Sequence, residues 1–211
     1  MARKSKVEAE KTRTRILASA LSLFVRKGYD HTTFVDIAER LKMTKGAVYW
    51  HFASKEALLV ALVEEMLAKF RRQLEELMPK KGDLTFPAVT EMMVANAERI
   101  VADPKGTAFF MLMKTQVKWG DDSMTETRER LQSDETYGPF HAMIEAVRND
   151  IAAGRVRKGV DPVEIASVAI SIWDGLVRAR IERFLQCDLA GALRHSYAGI
   201  WESIREVSSE K

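Results

Sequence analysis

At 211 residues, 46% of them hydrophobic and 30% charged, the chain can bury a real core, either as one large domain or as a small one attached to a larger. No stretch approaches the roughly 18 consecutive apolar residues of a membrane-spanning helix, the lone Cys187 excludes an intrachain disulfide, and the basic start leads into an apolar segment too broken for a signal peptide, so a soluble cytoplasmic protein is expected. The net charge of +3 is unevenly spread: residues 1–55 hold 12 Lys+Arg against 5 Asp+Glu, a net of +7, and the remainder holds 21 against 25, a net of −4, which reads either as a polyanion-binding head on an acidic body or as a merely solvated face.

In ILASALSLFVRKG, Ile16, Leu17, Ala20, Leu21 and Phe24 recur at helical spacing and Gly28 follows as a stop, which predicts a first helix with one buried stripe. Thr33, three residues before Asp36, forms a variant capping box and opens a second helix that buries Phe34, Ile37, Ala38 and Leu41. Lys42 and Met43 make a tight corner, and Thr44 caps a short third helix with Val48 and Phe52 on one face. Ser54 caps a fourth helix through KEALLVALVEEMLAKFRRQLEEL, long enough to connect two modules before PKKGD ends it. Beyond Pro79 the breakers ADPKG, WGDDS, YGP, AAGRVRKGVDP and CDLAG separate about six further helical segments, and Asp161 with Pro162 reads as a cap and first turn. The expected fold is all-α, with a three-helix helix-turn-helix head over residues 1–55 joined by a connecting helix to a larger helical body over 56–211.

The second helix of a helix-turn-helix pair lies in the DNA major groove. With Val48 and Phe52 turned inward, a step of about 100° per residue puts Gly46, Ala47, Tyr49 and Trp50 off the buried face. Lys45, one residue after the Thr44 cap, stands at the helix end that meets base edges and can donate to guanine O6 and N7. Ala47 can touch a thymine methyl, and the small Gly46 and Ala47 let the axis come near the groove floor. Tyr49, Trp50 and His51 carry donors suited to phosphate oxygens, while Thr33 and Lys55 lie at the starts of helices whose dipoles attract anions. Singly, Tyr49 or Trp50 reads as packing and His51 as a surface or capping histidine. Together with the +7 head they read as a surface for double-stranded DNA.

The stretch TKGAVYWHFASKEAL resembles the signature of TetR-type bacterial transcriptional repressors, written around a G-x-x-Y-x-H-F-x-x-K-x-x-L core, and TRILASALSLFVRKGYDHTTFVDIAERL extends the likeness into the first two helices. It covers residues 11–62, and MARKSKVEAEKTRTRIL with GAVYWHF is most similar to the branch that represses multidrug efflux pumps. The resemblance implies that Lys45, Gly46, Ala47 and Tyr49 form the base-reading face and that Thr33, Trp50, His51 and Lys55 contact phosphate. Val35 departs from members that carry a polar base reader there.

The resemblance also implies a homodimer through the last two long helices and a cavity for a small-molecule effector in each body. In DPVEIASVAISIWDGLVRARIERFL, a stripe of Ile165, Val168, Ala169, Ile172, Trp173, Leu176 and Val177 is broad enough for core and partner alike, with Ala166, Ala169 and Gly175 admitting close approach. The final helix adds Leu193, Tyr197, Ile200, Trp201 and Ile204. The aromatic and methionine residues Phe109, Phe110, Met113, Gln116, Trp119, Tyr137, His141 and Trp173 are the candidate effector-binding set, an ordinary core being the competing reading. No G-x-S-x-G elbow, H-E-x-x-H, phosphate loop or dinucleotide fingerprint is present, so no enzyme, cofactor or metal site is expected. Cys187 with His195 two turns later is the one nucleophile and base pairing to weigh, against a buried structural cysteine. The function expected is a ligand-responsive repressor that binds a palindromic operator as a homodimer and is released by a small apolar or amphipathic effector. The alternative is an effector-independent DNA-binding regulator whose body serves only dimerisation or protein contacts.

Overall fold

The structure is a computed structural model that describes residues 2–80, 84–122, 124–126, 129 and 138–206, with side chains from Val7 onward. Among the described residues the chain is helical, and its one β-type pairing is an isolated bridge between Val156 and Arg205. The helices are α1 Ala2–Lys27, α2 Phe34–Leu41, α3 Lys45–His51, α4 Lys55–Glu75, α5 Phe86–Ala102, α6 Pro104–Thr115, α7 Pro139–Ala152, α8 Pro162–Ile181 and α9 Leu189–Ile204. Residues 122, 124–126 and 129 are helical as well.

The chain packs as two compact units, one of Met1–Lys69 with Ala108–Ser133 and one of Phe70–Thr107 with Asp134–Lys211. The first unit includes the start of α4, where Leu58, Leu59, Leu62 and Val63 are buried. Within this unit α1 buries the predicted Ile16, Leu17, Ala20, Leu21 and Phe24, and Leu23 besides. It stops at Gly28, whose φ of 91° is open to glycine and whose N–H reaches the Phe24 carbonyl at 2.9 Å. The end of α2 has no glycine. Lys42 takes the left-handed conformation itself, at φ 53° and ψ 47°, and with Met43 returns two N–H groups to the Glu39 and Ala38 carbonyls.

The second unit is built around α5, which packs against α7, α8 and α9. Phe86, Val89, Met92, Met93, Val94, Ala97 and Ile100 are buried over much of its circumference, as a central helix requires. Asp150 on α7 is fully buried, and its carboxylate accepts the Phe86 N–H and the Arg155 Nε–H, each at 2.7 Å, so the buried charge is paired. Asp161 caps α8 as expected, accepting from the Val163 N–H at 2.9 Å with Pro162 in the first turn. Of Ala166, Ala169 and Gly175 on α8, the two alanines are fully buried and Gly175 is left exposed. Cys187 is exposed rather than buried, because it sits in the loop just before the α9 cap, Asp188; His195 is also exposed.

Candidate nucleic-acid interface

Local side-chain caps define the ends of the helix-turn-helix helices. Thr33 donates its N–H and its hydroxyl to Asp36 Oδ2, both at 2.8 Å, and accepts the Asp36 N–H at 3.2 Å, which completes the capping box. Lys27 also bonds Asp36, and these partners hold the Asp36 carboxyl at about 2, below its ordinary 3.8. Thr44 Oγ1 accepts the Ala47 N–H at 3.2 Å, and Ser54 Oγ accepts the Ala57 N–H at 3.1 Å.

The recognition helix α3 is pinned by one side. Val48 is wholly buried, and Phe52 just beyond it is 4% exposed. Lys45, Gly46, Tyr49 and Trp50 face outward, with Ala47 and His51 half-buried beside them. Trp50 is 73% exposed, a costly way to leave an indole unless something covers it. Tyr49 rests its ring edge-on against Phe34 at 4.8 Å, and the Lys45 ammonium stands 5.4 Å from the Tyr49 centroid, so the tyrosine supports the lysine. The His51 ring packs at 4.6 Å against Trp50. Burial first, and the nearby Arg13 charge second, push its pKa below its ordinary 6.5.

Not every cation of the basic head points to a ligand. Lys27 is engaged by Asp36, while Arg13 pairs with Glu65 at 3.5 Å and lies 5.4 Å over the Phe52 ring. Lys55 donates to the Tyr29 and Asp30 carbonyls at 3.1 and 3.2 Å and sits 4.5 Å from the Tyr29 ring centroid. It therefore fastens the α1–α2 turn to the start of α4. Burial, then the negative charges of Glu56 and Asp30, push the Tyr29 hydroxyl up to about 12. Sequence reasoning passed over Tyr29, for its partners come from three elements and no local pattern marks it.

The candidate effector residues divide between the units. Phe109, Phe110, Met113, Gln116 and Trp119 belong to the first, His141 and Trp173 to the second, and Tyr137 lies outside the described residues. Phe109 and Phe110 are buried, Gln116 Oε1 accepts the Tyr29 N–H at 2.8 Å, and Trp119 Nε1 donates to the Met113 carbonyl at 3.1 Å. Trp173 Nε1 donates to the Met93 carbonyl at 2.8 Å. Among the described residues no cluster of three His, Cys, Asp or Glu side chains is arranged to hold a metal ion, and no helix is long and apolar enough to cross a membrane.

Residues 16–62 match the family of bacterial regulatory proteins, tetR family. The probable HTH-type transcriptional regulator ArpR of Pseudomonas putida is 30% identical over 184 residues, which cover 84% of this chain and 83% of that relative. The crystal structure of NalD, the secondary repressor of the MexAB-OprM multidrug efflux pump in Pseudomonas aeruginosa, superposes with a TM-score of 0.70 at 23% identity, covering 94% of this chain and 98% of NalD. A SmeT–triclosan complex superposes with a TM-score of 0.73 at 24% identity, over 94% of this chain and 93% of the other. Fold and head together define a helix-turn-helix, DNA-binding regulator of transcription. The chain belongs to the tetR family of bacterial regulatory proteins.

Proposed function

We propose that this regulator is a ligand-responsive repressor that binds a palindromic operator as a homodimer and leaves it when a small apolar or amphipathic effector binds. The observation that carries the reading is the outward face of α3, where Lys45, Gly46, Tyr49 and Trp50 surround a helix anchored from behind by Val48. Lys45 reads a guanine, and Gly46 and Ala47 admit the groove floor. Tyr49, Trp50 and His51 hold phosphates, with Thr44 at the amino end of α3; a phosphate contact by Thr33 requires its hydroxyl to leave Asp36. Lys55 has one ammonium donor left for a phosphate once its two carbonyls are served.

The dimer forms through α8 and α9. Val163 and Val168 on α8 are 46% and 43% exposed, and a Cβ added at Gly175 or at Gly199 on α9 would meet nothing within 4 Å, which leaves room for another helix. Phe109, Phe110, Met113, Gln116 and Trp119 in the first unit, and separately His141 and Trp173 in the second, are the candidate effector residues. A regulator indifferent to effectors, whose body serves only dimerisation, is the second reading, and the engagement of Gln116 and Trp119 by the protein's own backbone favours it.

The decisive experiment selects a duplex from a random pool and measures its affinity against salt. Counterion release predicts a steep linear fall of log affinity with log salt, and the two-fold dimer predicts a palindrome with half-sites about 34 to 36 Å apart or a multiple of it. A flat salt dependence, or equal affinity for single strands, overturns the reading. Triclosan and related apolar phenols are then added, and operator release separates the repressor from the effector-independent regulator.

A further inference from the structure

The chain just after α6 is fixed in place before its side chains act. The Gln116 and Val117 N–H groups both reach the Leu112 carbonyl, at 3.0 and 3.1 Å, and the Trp119 indole caps the Met113 carbonyl. Leu112 and Val117 are buried, so the helix end is closed and anchored without a glycine. From this support Gln116 Oε1 accepts the N–H of Tyr29, 87 residues earlier in sequence.

Tyr29 follows the Gly28 that stops α1. Its N–H is the next donor after the one spent on Phe24, and it turns to Gln116 rather than to its own helix. The carbonyls of Tyr29 and Asp30 accept from Lys55, and the Tyr29 ring lies edge-on against Phe24 at 5.1 Å. Two side chains from distant elements thus hold one turn: Gln116 accepts the turn's Tyr29 N–H, and Lys55 donates to its Tyr29 and Asp30 carbonyls. Lys118 faces Asp30 at 3.6 Å, but both are well exposed and the pair adds little.

We propose that Gln116 is a positioning residue for operator binding. By holding the Tyr29 N–H it sets the turn on which Lys55 and the first turn of α4 rest, and so fixes where these groups meet the phosphate backbone. The inference rests on the operator reading above, and it assigns part of DNA recognition to a segment well beyond the 16–62 family match. An acceptor is what the position requires. Leu at 116 removes it, Glu keeps it, and Asn, one methylene shorter, withdraws it from reach.

The test compares Gln116→Leu, Gln116→Asn and Gln116→Glu in the full-length protein, with thermal unfolding to establish that each folds. Gln116→Leu should lose about tenfold in operator affinity, the scale of one lost hydrogen bond, uniformly over base substitutions in the operator. The Tyr29 amide should at the same time lose protection from hydrogen exchange. Gln116→Glu should retain both. If leucine is not accommodated, Gln116→Asn gives the same comparison with a polar side chain. Wild-type affinity in folded Gln116→Leu or Gln116→Asn overturns the proposal, as does a loss of affinity with Tyr29 still protected, since the loss then bypasses this bond. Failure of the wild type itself to bind any duplex sinks the operator reading and this proposal together, whereas a binding wild type with an indifferent Gln116 leaves the operator reading standing.

Discussion

Lys42 holds the corner between α2 and α3 in a left-handed conformation that costs an L-residue about 1 kcal/mol. Glycine carries no such penalty, so Lys42→Gly should stabilise the protein by up to about 1 kcal/mol and raise Tm by a few degrees. A lower Tm would mean that the lysine side chain contributes more than its backbone costs. Asp36 sets an acid limit on the same motif. Its folded pKa lies near 2, below the ordinary 3.8, so its contribution is complete above about 4 and fades as pH falls through 2. Asp36→Asn should be less stable than wild type at neutral pH and converge with it near pH 2, as denaturant midpoints taken across this range will show. Lys45 and Lys55 should differ in kind. Lys45→Ala should relax base preference at a cost of about 1 to 3 kcal/mol. Lys55→Ala should weaken all duplexes alike and also lower Tm, because it frees the Tyr29 and Asp30 carbonyls. Equal losses over every operator variant for both substitutions would reduce Lys45 to a phosphate contact.

At the scale of elements, α2 and α3 illustrate how short helices persist. Eight and seven residues are too few to be stable alone, and each is held by a side-chain cap and by packing of one face. These features were legible in the chain, because a cap and its target lie three residues apart. The exposed face of α8 supports a prediction of its own. Val168→Glu puts a charge where an apolar partner is expected, and the dimer should weaken to a concentration-dependent monomer in sedimentation while the monomer keeps its helical spectrum. An unchanged dimer would move the interface off this face. By contrast, no short spacing announces that Gln116 joins the turn after α1, or that Lys27 and Arg13 pair with Asp36 and Glu65.

For the whole molecule, an effector can change operator affinity only if it prefers one arrangement of the chain to another, and the preference must be mutual. Effector affinity, read from tryptophan fluorescence, should therefore fall on saturation with operator by the same factor by which effector weakens operator binding, a coupling of about 1 to 3 kcal/mol. Equal effector affinity with and without DNA would identify an effector-independent regulator.

The sequence by itself determined the all-helical class, the caps at Thr33, Thr44, Ser54 and Asp161, the buried stripe of α1 and the outward face of α3. Each is a matter of periodicity or of neighbours within one or two turns, where backbone geometry leaves few choices. Only the tertiary structure decided that Ala166 and Ala169 turn inward while Gly175 stays open, that Lys55 serves two carbonyls of the α1–α2 turn, and that Gln116 completes the same turn. A stripe of apolar residues states that a face is buried without stating against what. A lone polar side chain finds its partner only when packing brings distant backbone within about 3 Å of it.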